Sequence, residues 1–313
     1  MLHEAAGMNL PEVRMRVLKR RRDPAAVNSR LIRRPIQRMV WLFLLPTFAA
    51  FCIGFIYPFL KGAFLSFCKF KLTSKWTWVG FDNYLKAFAD SSFRHAFLFT
   101  ALFAFVSVLF INALAFAVAY ALTRGIKGSN LFRTVFFMPN LIGGIVLGYI
   151  WQILLNGLLS SWGKSLLALN ATYGFWGLII LMCWQQIGYM MIIYVAGLQS
   201  VPGDLIEAAK IDGANDREIL FKIKIPMVMP SVTICTFLTL TNSFKLFDQN
   251  VALTAGEPAN ASEMLALNIV NAFGTNGGGN RGAGQAKAVI FFIVVAAISI
   301  IQLQASRRKE VQQ

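Results

Sequence analysis

Residues 157–165 place Gly157, Gly163, Lys164 and Ser165 in the order of a phosphate-binding loop. That loop cradles nucleotide phosphates on backbone N–H groups and needs four residues between its glycines; here there are five, so the cradle does not form. Gly277, Gly279 and Gly282 match GxGxxG but sit in a glycine-rich stretch with no strand before them. The two histidines, His3 and His95, are too far apart to share a metal. The four cysteines (Cys52, Cys68, Cys183, Cys235) show neither ligand spacing nor a pairing pattern, and read as small apolar residues. HExxH, paired intramembrane carboxylates and Ser/His arrangements are all missing from the sequence. The expectation is a chain with no catalytic residue, no metal site and no bound cofactor.

Polar residues inside apolar runs suggest different chemistry, the holding of a polar solute. One run carries Thr233, Thr236, Thr239, Thr241, Asn242, Ser243, Lys245, Asp248 and Gln249. Another carries Trp184, Gln185, Gln186 and Tyr189, and a third has Asn140 after Pro139 and Gly144, whose missing side chain leaves room. Polar side chains within a membrane are costly and turn to the interior. Each also has a plainer use, bonding helix backbone or a neighbouring subunit, and both stay open. Lys245 and Asp248 are three apart, the spacing of a pair on one helix face.

The elements that position these residues are membrane spans. Of 313 residues 57% are hydrophobic and only 14% charged, against about 25% in soluble domains. Six apolar segments, near 40–67, 95–123, 132–155, 173–199, 227–250 and 286–304, reach the roughly 20 residues a bilayer requires. The organisation expected is all-α and polytopic, with a basic tail over 1–39, a membrane domain over 40–305 and a short C-terminus over 306–313. Ten Lys/Arg fall in residues 1–38, including Lys19, Arg20, Arg21 and Arg22. With both termini inside, inner segments hold twenty Lys/Arg and outer loops eight, which favours that orientation in a cytoplasmic membrane. The tail therefore reads as a topology signal that also touches anionic lipid, and not as a nucleic-acid arm or a cleaved signal peptide.

Between the fourth and fifth segments lies a charged excursion, 200–226. Pro202 and Asp204 suit the start of a short helix. Gly213 breaks it, and Asn215 with Glu218 three residues on has the spacing of a capping box for a second helix. Pro226 is expected to end the excursion at the membrane surface. Small residues at Ala208 and Ala209 permit close approach to a partner, and Glu207 and Asp212 can pair with its basic groups.

The excursion reads Glu207-Ala208-Ala209, three residues, Gly213, nine residues, Ile223, one residue, Ile225-Pro226. It resembles the EAA loop, E-A-A-x3-G-x9-I-x-L-P, of the membrane subunits of ATP-binding-cassette (ABC) importers, with Ile225 in place of Leu. The resemblance widens to nearly the whole chain. Trp78 through Tyr84 is similar to a W-x-G-x-x-N-Y element, Arg133 through Trp151 and Trp184 through Pro202 are similar to the third and fourth spans, and Phe247 through Pro258 resembles F-D-x4-L-T-x-G-G-P with Glu257 for the second Gly. It lies with the carbohydrate-uptake group, related to the larger membrane subunit of the maltose transporter.

The resemblance implies a type I importer permease fold and alternating access. It implies partners: a second homologous permease, two ATPase subunits that use ATP and Mg, an extracytoplasmic solute-binding protein, surrounding lipid and a carbohydrate. It gives Glu207, Ala208, Ala209, Asp212, Gly213, Ile223 and Pro226 the coupling role. It places solute contacts near Asn140, Gly144, Trp184, Gln185, Thr239, Ser243 and Leu246, to which Tyr189 and Asn242 are added as polar neighbours. Three rivals are weaker: an importer of a non-sugar solute, an ion-coupled transporter, for which Asp248 is the one clear intraspan acid, and a membrane enzyme, which lacks its residues.

Overall fold

A computed structural model describes residues 42, 44–274 and 280–307. The basic tail, Gly277, Gly279 and residues 308–313 lie outside the described residues. The chain divides into two units, one ending at Gly62 within the first long helix and one from Ala63 on.

The first helix, α1, runs Leu44–Leu65 with a π-helical stretch over Cys52–Ile56. Phe51, Phe55 and Phe59, four apart, stack successively at 5.2 and 6.4 Å along one face. Next comes a small antiparallel hairpin, β1 (Cys68–Leu72) and β2 (Lys75–Trp78). Helix α2 (Asp82–Ala89) leads into α3 (Ser91–Leu122), started by Asp90, whose carboxylate accepts the Ser92 N–H at 2.9 Å. Then follow α4 (Ser129–Phe137), a 3-10 turn (Met138–Leu141), α5 (Gly144–Ser161) and α6 (Ala171–Gln199).

Two short elements follow, α7 (Gly203–Ile211) and α8 (Asp216–Met227), before α9 (Met229–Phe244), α10 (Asp248–Leu253), α11 (Leu265–Phe273) and α12 (Arg281–Arg307). Among the described residues five helices are long and apolar enough to cross a membrane, and α8 with α9, bent by 66°, makes a sixth if taken as one span. The fold is thus all-α apart from the hairpin.

Helix α6 is the axis of the second unit; 67% of its apolar window is buried, against 28% for α3. Leu178, Met182, Met190, Met191 and Tyr194 of α6 meet Phe103, Ile111, Ala115 and Ala119 of α3, with Cys235 of α9. Small residues on α3 at intervals of four let the two axes approach. Gly188 has the same function toward α4, since a Cβ there would collide with the Phe136 carbonyl.

Two expected spans are broken. The third, 132–155, is interrupted at Met138–Gly143, where Pro139 withholds an N–H and Ile142 and Gly143 are extended, so the membrane-length helix is 144–161. The fifth, 227–250, bends near Pro226 and Pro230 and ends at Phe244. Lys245 is the C-cap and is exposed, between buried Phe244 and Leu246; Asp248 begins α10. Lys245 and Asp248 therefore do not share a helix face, and no ion pair joins them among the described residues.

Candidate functional site

The 200–226 excursion is built by local rules. Pro202 precedes α7 in extended conformation (φ −58, ψ 132), and Asp204 and Lys210 sit at the ends whose partial charges they oppose. The helix stops in a Schellman turn: Ala214 N–H donates to Ala209 O at 2.9 Å and Gly213 N–H to Lys210 O at 3.1 Å. Gly213 has φ +83, the left-handed region that a side chain disfavours. Asn215 Oδ1 accepts the N–H groups of Arg217 and Glu218 at 3.0 Å each, while Glu218 accepts the Asn215 N–H at 3.1 Å, completing the capping box. The Lys222 ammonium and that N–H hold the Glu218 carboxyl below its ordinary value.

Two faces result. Ile206, Ile223 and Met227 pack on the main core and fix the excursion to the bundle. Glu207, Ala208, Asp212 and Gly213 are exposed, as are Leu205 (46%) and Ile211 (86%), while Ala209 and Pro226 are half-buried. Ile223 is thus an anchor within the chain. Pro226 lies inside α8, one residue before its end, and does not close the excursion.

The sequence reading missed a junction beneath this segment. Arg124, just beyond α3, donates to Tyr120 OH at 2.8 Å and meets Asp216 at 3.3 Å. Arg124 and Lys224 lie 4.7 and 5.2 Å from the Tyr120 ring centroid, so one aromatic ring receives cations from two elements. Only a fold that returns α8 to the end of α3 brings these residues together.

The polar candidates divide into two groups. At the break before α5, Gln185 Nε2 donates to Ile142 O at 3.4 Å and Gln249 Nε2 to Gln185 Oε1 at 2.8 Å. Gly144 is the close approach there: a Cβ would lie 2.8 Å from Asp248 Cβ and 3.1 Å from Gln249 Cδ. Gly148, one turn on, would meet Ala252 at 2.5 Å, so the small-residue spacing seats α10 on α5. Trp184, 44% exposed, packs edge-on to Trp151 at 5.6 Å. Asn140 is half-buried beside the same break, as is Tyr189, tilted against Phe137 at 6.4 Å. Asn242 Nδ2 donates to Gln186 Oε1 at 3.3 Å.

The second group, around Thr239 and Ser243 (both 0% exposed), lies deeper between helices. Ser243 Oγ donates to Thr239 O at 2.8 Å, and Thr239 Oγ1 accepts from Asn112 at 3.5 Å, whose own oxygen accepts Tyr194 OH at 2.8 Å. This node ties α3, α6 and α9, and Leu246 is buried at 4% exposure beyond it. Thr239, Ser243 and Leu246 thus do packing work in this conformation. Trp184 is exposed beside the break, half-buried Gln249 and Gly144 lie next to it, and Gln185 is buried at 6% exposure with both ends of its amide bonded.

A larger polar network was also missed. Glu263 accepts Asn268 and Asn271 amides at 2.7 and 2.6 Å, and Lys287 donates to Asp90 and Asn268 at 2.7 and 3.0 Å. Partial burial alone would raise the Asp90 carboxyl, but the Lys287 hydrogen bond and charge outweigh it and hold the group below its ordinary value. Asp90 with Ser91 and Ser92 was a readable cap signal before an apolar run; its partners 170 to 200 residues away were not. Among the described residues no group of three His, Cys, Asp or Glu could hold a metal.

Comparison with known proteins accords with this architecture. The probable starch degradation products transport system permease protein AmyD of Thermoanaerobacterium thermosulfurigenes is 40% identical over 87% of this chain and 95% of its own length. The multiple sugar-binding transport system permease protein MsmF of Streptococcus mutans is 31% identical over 87% and 96%. A chain of a bacterial ABC transporter involved in the import of the acidic polysaccharide alginate superposes with a TM-score of 0.75 over 88% of this chain and 98% of its own, at 21% identity, a likeness of fold. Residues 111–311 match the family described as binding-protein-dependent transport system inner membrane component. This multi-pass membrane protein belongs to that family of transporter permeases.

Proposed function

We propose that the chain forms one half of the translocation pathway of an ATP-driven, binding-protein-dependent importer for a carbohydrate. The observation that carries this reading is the exposed face of α7. The segment is closed by a Schellman turn and a capping box and anchored by Ile206 and Ile223, yet Leu205, Glu207, Ala208 and Ile211 are exposed among the described residues. Rigid presentation of an uncovered, small-residue face is what a lever needs, because force passes only through a part that does not bend at its base.

On this reading two ATPase subunits, which use ATP and Mg, grip Glu207, Ala208, Ala209, Asp212 and Gly213 from the cytoplasm. Both termini, including the basic tail 1–39, then lie on that side. A second permease supplies the other wall of the pathway, a solute-binding protein delivers the sugar from outside, and lipid surrounds the assembly; neither a nucleic acid nor a cofactor bound to this chain is required. At the break before α5, exposed Trp184 offers an aromatic face and half-buried Asn140 and Gln249 offer amides to hydroxyl groups, with Gly144 leaving room and Gln185 behind them holding Gln249 in place. The names of the two sugar-permease relatives support the carbohydrate assignment. The tagged chain, purified from membranes in mild detergent, is expected to bring down a second permease and an ATPase. A homo-oligomer without ATPase would overturn the reading.

A further inference from the structure

A half-open cavity of about 330 Å3 lies where α2, the start of α3, α11 and α12 meet. Its floor is Glu263, Asn268 and Lys287, only 2, 5 and 7% exposed, with Asp90 beside them. Lys287 spends two of its three N–H donors on Asp90 and Asn268. Asn271 spends its amide N–H on Glu263 and keeps its carbonyl. At the rim, Lys86 pairs with Asp82 at 2.5 Å, both side chains being about half exposed (59 and 48%). An exposed i,i+4 pair is worth little, so Lys86 is free to take a new acceptor.

The lining does not suit a small organic ligand. Such pockets are mostly apolar with a few polar groups, whereas here charged and amide groups dominate and no aromatic ring lines the wall. Charges balance: two ammonium groups face two carboxylates. Polar, solvent-accessible groups of this kind form the rims of protein–protein contacts, where paired charges are matched by a partner's side chains. Position narrows the partner. Helix α3 is 32 residues, about 48 Å, and carries the cavity at its start and the Arg124–Asp216 junction with α8 just beyond its end. If α7 and α8 face the ATPase, as proposed above, the cavity opens on the side from which solute arrives.

Resting on that reading, we propose that this cavity is a docking socket for the solute-binding protein, which inserts a hydrogen-bond-accepting side chain, carboxylate or amide, toward Lys86 and the floor. The socket touches both Asp90, the cap of α3, and Lys287 on α12, so an inserted group acts on the contact between two spans.

The test uses the complete complex in nanodiscs and measures binding of its own solute-binding protein. Lys86→Glu opposes the incoming acceptor, and Ala272→Trp fills the cavity from α11 without removing any hydrogen bond. Each is expected to weaken binding at least tenfold while the ATPase subunits still co-purify, and Lys86→Arg is expected to stay within about threefold of the unaltered complex. Unchanged affinity in both disruptive variants would overturn the socket. Failure of the unaltered complex to bind any solute-binding protein would instead overturn the importer reading on which it rests.

Discussion

The excursion at α7–α8 and the network around Glu263 and Lys287 are both polar parts of an apolar protein, and they are stabilised in opposite ways. The excursion is held by bonds between residues two to five apart: the Schellman turn at Gly213, the box of Asn215 and Glu218, the Glu218–Lys222 pair. Its charges stay in water. The network joins residues 90, 92, 263, 268, 271 and 287, and its central groups are buried. Local bonds leave one whole face of the excursion exposed; long-range bonds join spans and leave uncommitted only the rim Lys86, one Lys287 donor and the Asn271 carbonyl. A region tied only to itself can shift as a unit, whereas one tied to several spans holds them in register.

Perturbation should separate them. Lys287→Met leaves half-buried Asp90 and buried Asn268 without their cation, and because solvent screens part of the Asp90 carboxylate the loss is that of a charged hydrogen bond, about 1.5–3 kcal/mol. The expected result is a marked fall in the thermal transition of the purified protein. The same network should show acid sensitivity. A carboxylate held low in the folded state adds stability above its unfolded value of about 4, and that stability is lost as pH falls through the lowered folded value. Thermal transitions should therefore drop below about pH 4, and Lys287→Met should flatten that drop; a drop of the same size in the variant would assign the acid response elsewhere.

Effects in the excursion should be smaller on stability and larger on function. Gly213→Val forces a β-branched residue to φ +83, a local cost of about 1–2 kcal/mol, with open space around the new side chain. The chain should still insert, while ATPase activity and uptake in the reconstituted complex become uncoupled. Asn215→Ala removes the cap of α8, about 1 kcal/mol, and should raise hydrogen exchange over 216–224 alone. Asp216→Asn breaks an exposed pair with Arg124 and is expected to leave the thermal transition unchanged; a clear fall would mean the junction at Tyr120 is more than a surface contact.

How much was legible follows the same division. The capping box and the glycine break were readable because they obey spacings of a few residues, and the membrane segments because hydropathy is a property of composition. The break before α5 was not, since Pro139 is tolerated inside many spans; the extended backbone at Ile142 and Gly143, with the Ile142 carbonyl taken by Gln185, shows that the chain there is unwound. Among the polar candidates, residue type alone did not separate Thr239, Ser243 and Gln185, buried and bonded within the chain, from Trp184, Asn140 and Gln249, which keep part of their surface exposed.

The sequence by itself determined that the chain is a multi-pass membrane protein, roughly where most of its spans lie though not where the third and fifth break, and that a glycine-broken, capped excursion separates the fourth from the fifth. These depend on burial preference and local backbone bonding, which act within a few residues. Tertiary structure alone decided which polar groups meet: Lys287 with Asp90, Asn112 with Tyr194, Arg124 with Asp216. In an apolar bundle each buried polar group must find a partner, and helix packing, which sequence spacing does not encode, selects which one is within reach.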